Sequence, residues 1–133
     1  MKYNVLIPMA GEGSRFADEG YVMPKQLIMV DGTQMIDWSM RSLISEDCQL
    51  IFAVRQEHIN NHSVDTFLKN KYGDDIKIVV VDHVTDGSVS TCLLAKEHID
   101  NDNPLFIYTL DVYFEPYFQP VIPEGTDGFL LTF

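Results

Sequence analysis

Apolar runs of strand length recur along the chain at Tyr3–Met9 and at residues 50–54, 76–81, 105–110 and 129–133. The stretches between them carry apolar positions at helical spacing. Ile36, Met40, Leu43 and Ile44 follow a Thr33 cap, Val64, Phe67 and Leu68 follow Ser63, and Val89, Cys92, Leu93 and Ile99 follow the Gly87-Ser88 turn. The run Ile76-Lys77-Ile78-Val79-Val80-Val81 is nearly continuous rather than alternating, which suits a strand covered on both faces of a parallel sheet. Alternating strands and helices of this kind predict an α/β fold, a doubly wound sandwich with a mostly parallel sheet and right-handed crossovers. No repeat, linker or low-complexity tract divides residues 1–133, so a single domain is expected. Pro116, Pro120 and Pro123 make residues 115–124 irregular, since such a density of proline continues neither a helix nor a central strand.

In such a sheet, ligands bind in the crevice at the carboxyl ends of the strands. The loop after Met9, the turn after Val81 and the end of the 105–110 run all open onto that edge. The first of these reads Ala10-Gly11-Glu12-Gly13-Ser14-Arg15-Phe16, with Pro24-Lys25 further on. Glycines free the backbone to turn sharply and aim successive N–H groups at an anion. A dinucleotide-binding turn would need a third glycine at the place of Phe16, and a P-loop would need Lys-Ser/Thr directly after Gly13, where Ser14-Arg15 stand. Both readings fail. What survives is a phosphate-handling loop whose cations are Arg15 and the distant Lys25.

Charge sharpens that reading. Twenty acidic against nine basic residues give a formal charge of −11, which repels nucleic acid and anionic membrane as partners but leaves room for a small anion bound with magnesium. Two of only nine cations are placed around one loop. At 133 residues the chain can bury roughly two-thirds of its unfolded surface in one core. No apolar run reaches the roughly 18 residues of a membrane span, and the short N-terminal run, broken by Asn4 and Pro8, reads as neither anchor nor secretory signal. Cys48 and Cys92 are expected to be free thiols in a reducing cytoplasm, with Cys92 in the core.

Gly11-Glu12-Gly13-Ser14-Arg15-Phe16 followed by Pro24-Lys25-Gln26-Leu27 resembles the signature of sugar-phosphate nucleotidyltransferases, the nucleotide-sugar pyrophosphorylases. The resemblance covers nearly the whole chain and corresponds to the N-terminal, nucleotide-binding part of that family. It implies a glycosyltransferase-A-like three-layer sandwich, apparently truncated, and a Mg2+-dependent transfer of a nucleoside monophosphate from a nucleoside triphosphate to a sugar 1-phosphate. By the same resemblance Met9, Ala10 and the backbone of Gly11, Glu12, Gly13 and Ser14 would contact the nucleotide. Arg15 would hold the phosphates that leave as pyrophosphate, and Lys25 would sit on the α-phosphate. Asp111, at the end of the 105–110 run, would hold the metal. The segment from Asp82 to Gly87 resembles the base-reading loop of uridylyl and thymidylyl members. Asp82 stands there for the usual glutamine and offers only acceptors when ionised, so the base is open.

Three other features read as structure. His58 and His62 are four apart, but no third zinc ligand is in sequence reach. Tyr108, Tyr113, Phe114, Tyr117 and Phe118 are expected to pack the end of the sheet rather than stack a ligand. The 129–133 run looks like a strand from the middle of the family's fold. The family's later half supplies much of the sugar-phosphate pocket and a second metal-binding aspartate. The alternatives are therefore a fragment of a longer transferase, completed by a C-terminal region or a second copy, and a catalytically incomplete nucleotide-binding or regulatory module. A phosphocholine-type acceptor, known in relatives of the family, is a further alternative.

Overall fold

A computed structural model of the chain describes residues 2–43, 47–114, 124–128 and 130. Strand β1 (Tyr3–Met9) leads through helix α1 (Ser14–Asp18) and a single 3-10 turn (Lys25–Leu27) to a small antiparallel ribbon, β2 (Met29–Val30) with β3 (Thr33–Gln34). Then follow α2 (Met35–Met40), β4 (Cys48–Arg55), α3 (Gln56–His62), α4 (Val64–Tyr72), β5 (Lys77–Val81), α5 (Ser88–Leu93), α6 (Lys96–Ile99) and β6 (Leu105–Ile107). The main sheet has the order β5-β4-β1-β6 and every pairing in it is parallel.

Alternation of side chains sorts each central strand onto two buried faces. Val5, Ile7 and Met9 of β1 join Leu50, Phe52 and Val54 of β4 in one cluster, closed by Ile36 and Met40 of α2 and Val64 and Leu68 of α4. On the opposite face Leu6 and Ile51 pack against Cys92 and Ala95 at the α5–α6 junction. Helices therefore cover both faces, which is the three-layer arrangement expected. Of the two cysteines, Cys92 is buried and Cys48 half-buried.

Several boundaries differ from the sequence reading, each for a local reason. Thr33 does not cap α2; it pairs with Val30 across Asp31-Gly32, whose φ values of 48° and 78° make the primed turn that joins two-residue hairpins. The helix starts after Gln34, in extended conformation. The long third helix is two short ones, because Ala95 (φ −88°, ψ 9°) leaves helical geometry and resets the phase. Cys92 and Ala95 face the sheet, while Val89 and Leu93 are 74% and 64% exposed. β5 is an edge strand among the described residues; Ile78 packs on one face of the sheet and Val79 and Val81 on the other, while Val80 is exposed. β6 stops at Ile107, although Tyr108 N–H still donates to the Leu6 carbonyl at 2.9 Å. Ile44, Tyr117, Phe118 and the expected irregular segment up to Pro123 lie outside the described residues, as does the 129–133 run apart from Leu130.

Candidate functional site

The glycine loop is fixed from behind and open in front. Met9 ends β1 buried in the larger core, and Ala10 packs against Ala53 and Val81, so the exit of the chain from the sheet is set by contacts on both faces. Gly13 then takes a left-handed conformation, φ 62°, and its carbonyl accepts from the N–H groups of Phe16 and Ala17 to start α1. A Cβ on Gly13 would lie 3.9 Å from that of Lys25, which brings the glycine loop and the Pro24-Lys25 turn together. Lys25 opens the 3-10 turn, where Leu27 N–H donates to the Pro24 carbonyl at 2.9 Å. Its neighbours anchor it: Leu27 lies in the core, and buried Gln26 places Nε2 3.2 Å from His58 Nδ1. Burial, and then the nearby Arg55 guanidinium, lower the pKa of His58.

Lys25 Nζ donates to Asp111 Oδ2 at 2.8 Å. The loop that carries Asp111 is tied on either side of it, to α2 and to the turn that follows α2. The Ser39 hydroxyl, itself buried, donates to the Leu110 carbonyl, and Ser42 Oγ donates to the Phe114 carbonyl at 2.6 Å and accepts from Phe114 N–H at 2.9 Å. Tyr108 OH closes the same loop onto the Val112 carbonyl at 2.8 Å. The hydrogen bond from Lys25 holds the Asp111 carboxyl below the usual carboxylate range, against the partial burial that pushes it up.

These elements surround a cleft of about 980 Å³. Of the residues singled out in the sequence, Met9, Gly11, Gly13, Ser14, Arg15, Lys25 and Asp111 line it together. Arg15 forms no ion pair among the described residues. Ala10, Glu12, Asp82 and Gly87 do not line the cleft. Ala10 is core, and Glu12 turns towards Arg55, 4.0 Å away at the end of β4. Asp82 follows β5, two strands from β1, and its exposed carboxylate pairs with His83 Nδ1 at 2.7 Å, which lowers its pKa. The Gly87 carbonyl accepts from the hydroxyls of Thr85 and Thr91 at 3.1 and 3.2 Å.

No protein-family model and no curated protein matches the sequence. Solved structures do. The nucleoside-diphosphate-sugar pyrophosphorylase of Vibrio cholerae RC9 superposes with a TM-score of 0.74 at 24% identity, over 87% of this chain and 50% of its own. The inositol-1-phosphate CTP transferase of T. maritima gives 0.71 at 18% identity, over 86% and 46%. The UTP-bound UGPase of Acinetobacter baumannii gives 0.54 at 19%, over 80% and 45%. The chain has the fold of the nucleotide-sugar pyrophosphorylases. It spans about half the length of these structures.

Within this pyrophosphorylase fold the cleft has a second wall that sequence reasoning did not single out as a site. Trp38, Val30 and Met35 line it from the ribbon and α2, and Tyr113 lines it from the Asp111 loop. Trp38 Nε1 donates to the Val30 carbonyl at 2.7 Å, its ring meets that of Tyr113 edge-on at 5.6 Å, and Arg41 stacks on it at 4.2 Å. Tyr108, in contrast, is buried and tilts against Phe114, 5.9 Å away. A signal for the wall was present in the chain: Trp38 and Ser39 of α2, and Ser42 in the turn after it, are groups among apolar positions that need partners outside the helix.

Proposed function

We propose that the chain is the nucleotide-binding part of a nucleotidyltransferase that transfers a nucleoside monophosphate from a nucleoside triphosphate to a sugar 1-phosphate. One observation supports this above the others: the glycine loop, Arg15, Lys25 and Asp111, which come from separate parts of the sequence, meet around one cleft on this fold. In the reaction, an acceptor phosphate oxygen bonds to the α-phosphorus while the bond from that phosphorus to the bridging oxygen breaks, and pyrophosphate leaves. Little covalent work falls to the protein, so positioning and charge stabilisation supply most of the rate. Arg15 and the backbone of Gly11 to Ser14 grip the β- and γ-phosphates. Lys25, a compact point charge, neutralises the negative charge that builds on the α-phosphate.

Magnesium is implied by the resemblance, and the donor set fits it. A single exposed carboxylate, kept ionised by a neighbouring ammonium, is the protein share usual for an ion whose other ligands are phosphate oxygens and water. Asp111 would hold it, and the bound ion would polarise the α-phosphate. Calorimetric titration with a nucleoside triphosphate and Mg2+ tests the assignment. Lys25→Ala and Asp111→Ala should each weaken binding by about tenfold or more, as expected when a charge-assisted contact is lost. Unchanged affinity in both variants refutes the proposal.

A second reading, a nucleotide-binding module that turns over weakly or not at all, is favoured by the absence, among the described residues, of any group of three metal-binding side chains. Pyrophosphate release from triphosphate plus a sugar 1-phosphate separates the two, with robust turnover by this chain alone excluding the module.

A further inference from the structure

The Lys25–Asp111 pair carries a consequence for what enters the site, and it rests on the reading just given. At 2.8 Å the ammonium occupies one oxygen of Asp111, which lines the cleft from the β6 side while Glu19 lines it from the end of α1, and the Lys25 and Asp111 side chains keep a solvent-facing surface of 29% and 52%. Among the described residues no cluster of three ligating side chains occurs there to hold a metal ion by protein groups alone. A free dication at Asp111 must therefore sit against the Lys25 ammonium or displace it, with no set of three protein ligands to offset that repulsion. A triphosphate removes both obstacles at once: its α-phosphate draws Lys25 off the carboxylate, and its oxygens complete the coordination of the ion.

The geometry points to a site that accepts the metal–nucleotide chelate and rejects the free metal ion, with Lys25 as the group that masks Asp111 until the phosphate arrives. Because coupling is reciprocal, the factor by which the nucleotide raises metal affinity is also the factor by which the metal raises nucleotide affinity. The masking predicts that one substitution moves the two affinities in opposite directions. Lys25→Gln should weaken the triphosphate yet strengthen Mn2+ binding to the nucleotide-free protein. A purely supportive role for Lys25 in the fold would not do this.

The test is free Mn2+ measured by electron paramagnetic resonance during titration of the nucleotide-free chain. The wild type should bind Mn2+ weakly, and Lys25→Gln at least about fivefold more tightly, the lower end of ordinary coupling between sites. Lys25→Arg, which keeps a cation at the carboxylate, should stay weak. The gain should vanish in the double variant Lys25→Gln/Asp111→Asn, which locates it at Asp111. Wild-type affinity equal to that of Lys25→Gln, or a gain that survives Asp111→Asn, overturns the inference. The parent reading fails by a different result. A wild-type chain that takes up none of UTP, dTTP, CTP, GTP and ATP in the presence of Mn2+ removes nucleotide delivery, whatever the metal titrations give.

Discussion

The two faces of the sheet are built to different depths. On the α2–α4 face large side chains from β1, β4, α2 and α4 interlock around Phe52, which is fully buried and stacks on Tyr72 at 5.6 Å. On the α5–α6 face the described core divides into two small groups rich in alanine, Leu6-Ile51-Cys92-Ala95 and Ala10-Ala53-Val81. Val89, Leu93 and Leu94 of the α5 segment stay exposed there, and so do Leu105 and Ile107, which alternation turns away from Phe106 and the larger core. The thick face is also the one that positions the cleft, since Gln26 and Leu27 anchor Lys25 and α2 anchors the Asp111 loop. Stability and site geometry are therefore concentrated on one side.

The largest effect should come from the centre of that side. Phe52→Ala removes a fully buried ring and its stacking on Tyr72, and should cost about 3–5 kcal/mol. Leu93→Ala, at 64% exposure on the other side, should stay within about 0.5 kcal/mol. Urea denaturation of both variants checks the contrast, and similar midpoint shifts would remove the asymmetry.

A smaller, more local effect is expected at Ser39. Its hydroxyl is the partner of the Leu110 carbonyl, and both residues are buried, so Ser39→Ala leaves an acceptor unsatisfied at a cost of about 1–3 kcal/mol. The loop carrying Asp111 should loosen in step. Hydrogen exchange should speed up around residues 108–114 in this variant and remain unchanged in β5; exchange that rises evenly over the sheet would show that α2 does not position the loop separately.

How far the sequence alone reaches follows the same division. The parallel sheet was legible in the strand-length runs, and the meeting of Gly11, Gly13, Arg15, Lys25 and Asp111 followed from strand ends that open onto one edge together with the family resemblance of those motifs. The limits of α5 and α6 were not. Val89, Cys92, Leu93 and Ile99 suggest one apolar stripe, but the break at Ala95 depends on how the chain meets the thin face, and periodicity contains no record of that. The β2–β3 ribbon had a clear signal in Asp31-Gly32, which competed with Thr33 as a helix cap and won because both turn residues take positive φ. The aromatic wall of Trp38 and Tyr113 joins residues far apart in the chain and becomes visible only once the Asp111 loop lies over α2.

The smallest effect is electrostatic and concerns the edge of the thick face. In the folded chain the hydrogen bond from Lys25 lowers the Asp111 pKa, so the pair adds stability that is fully present above the unfolded carboxylate value and disappears as pH falls through the folded one. With half of the carboxylate side chain exposed, solvent screening keeps this contribution small. Lys25→Met should therefore leave the midpoint of denaturation near neutral pH almost unchanged. In the same variant the Asp111 carboxyl 13C resonance should titrate at a higher pH than in the wild type, because the main cause of the depression is gone and partial burial is opposed only by the weaker hydrogen bonds from the Asp111 backbone and Thr109. A titration unchanged by Lys25→Met would mean that the ammonium spends little time on the carboxylate in solution, and Asp111 would then be open to a metal ion before any nucleotide arrives.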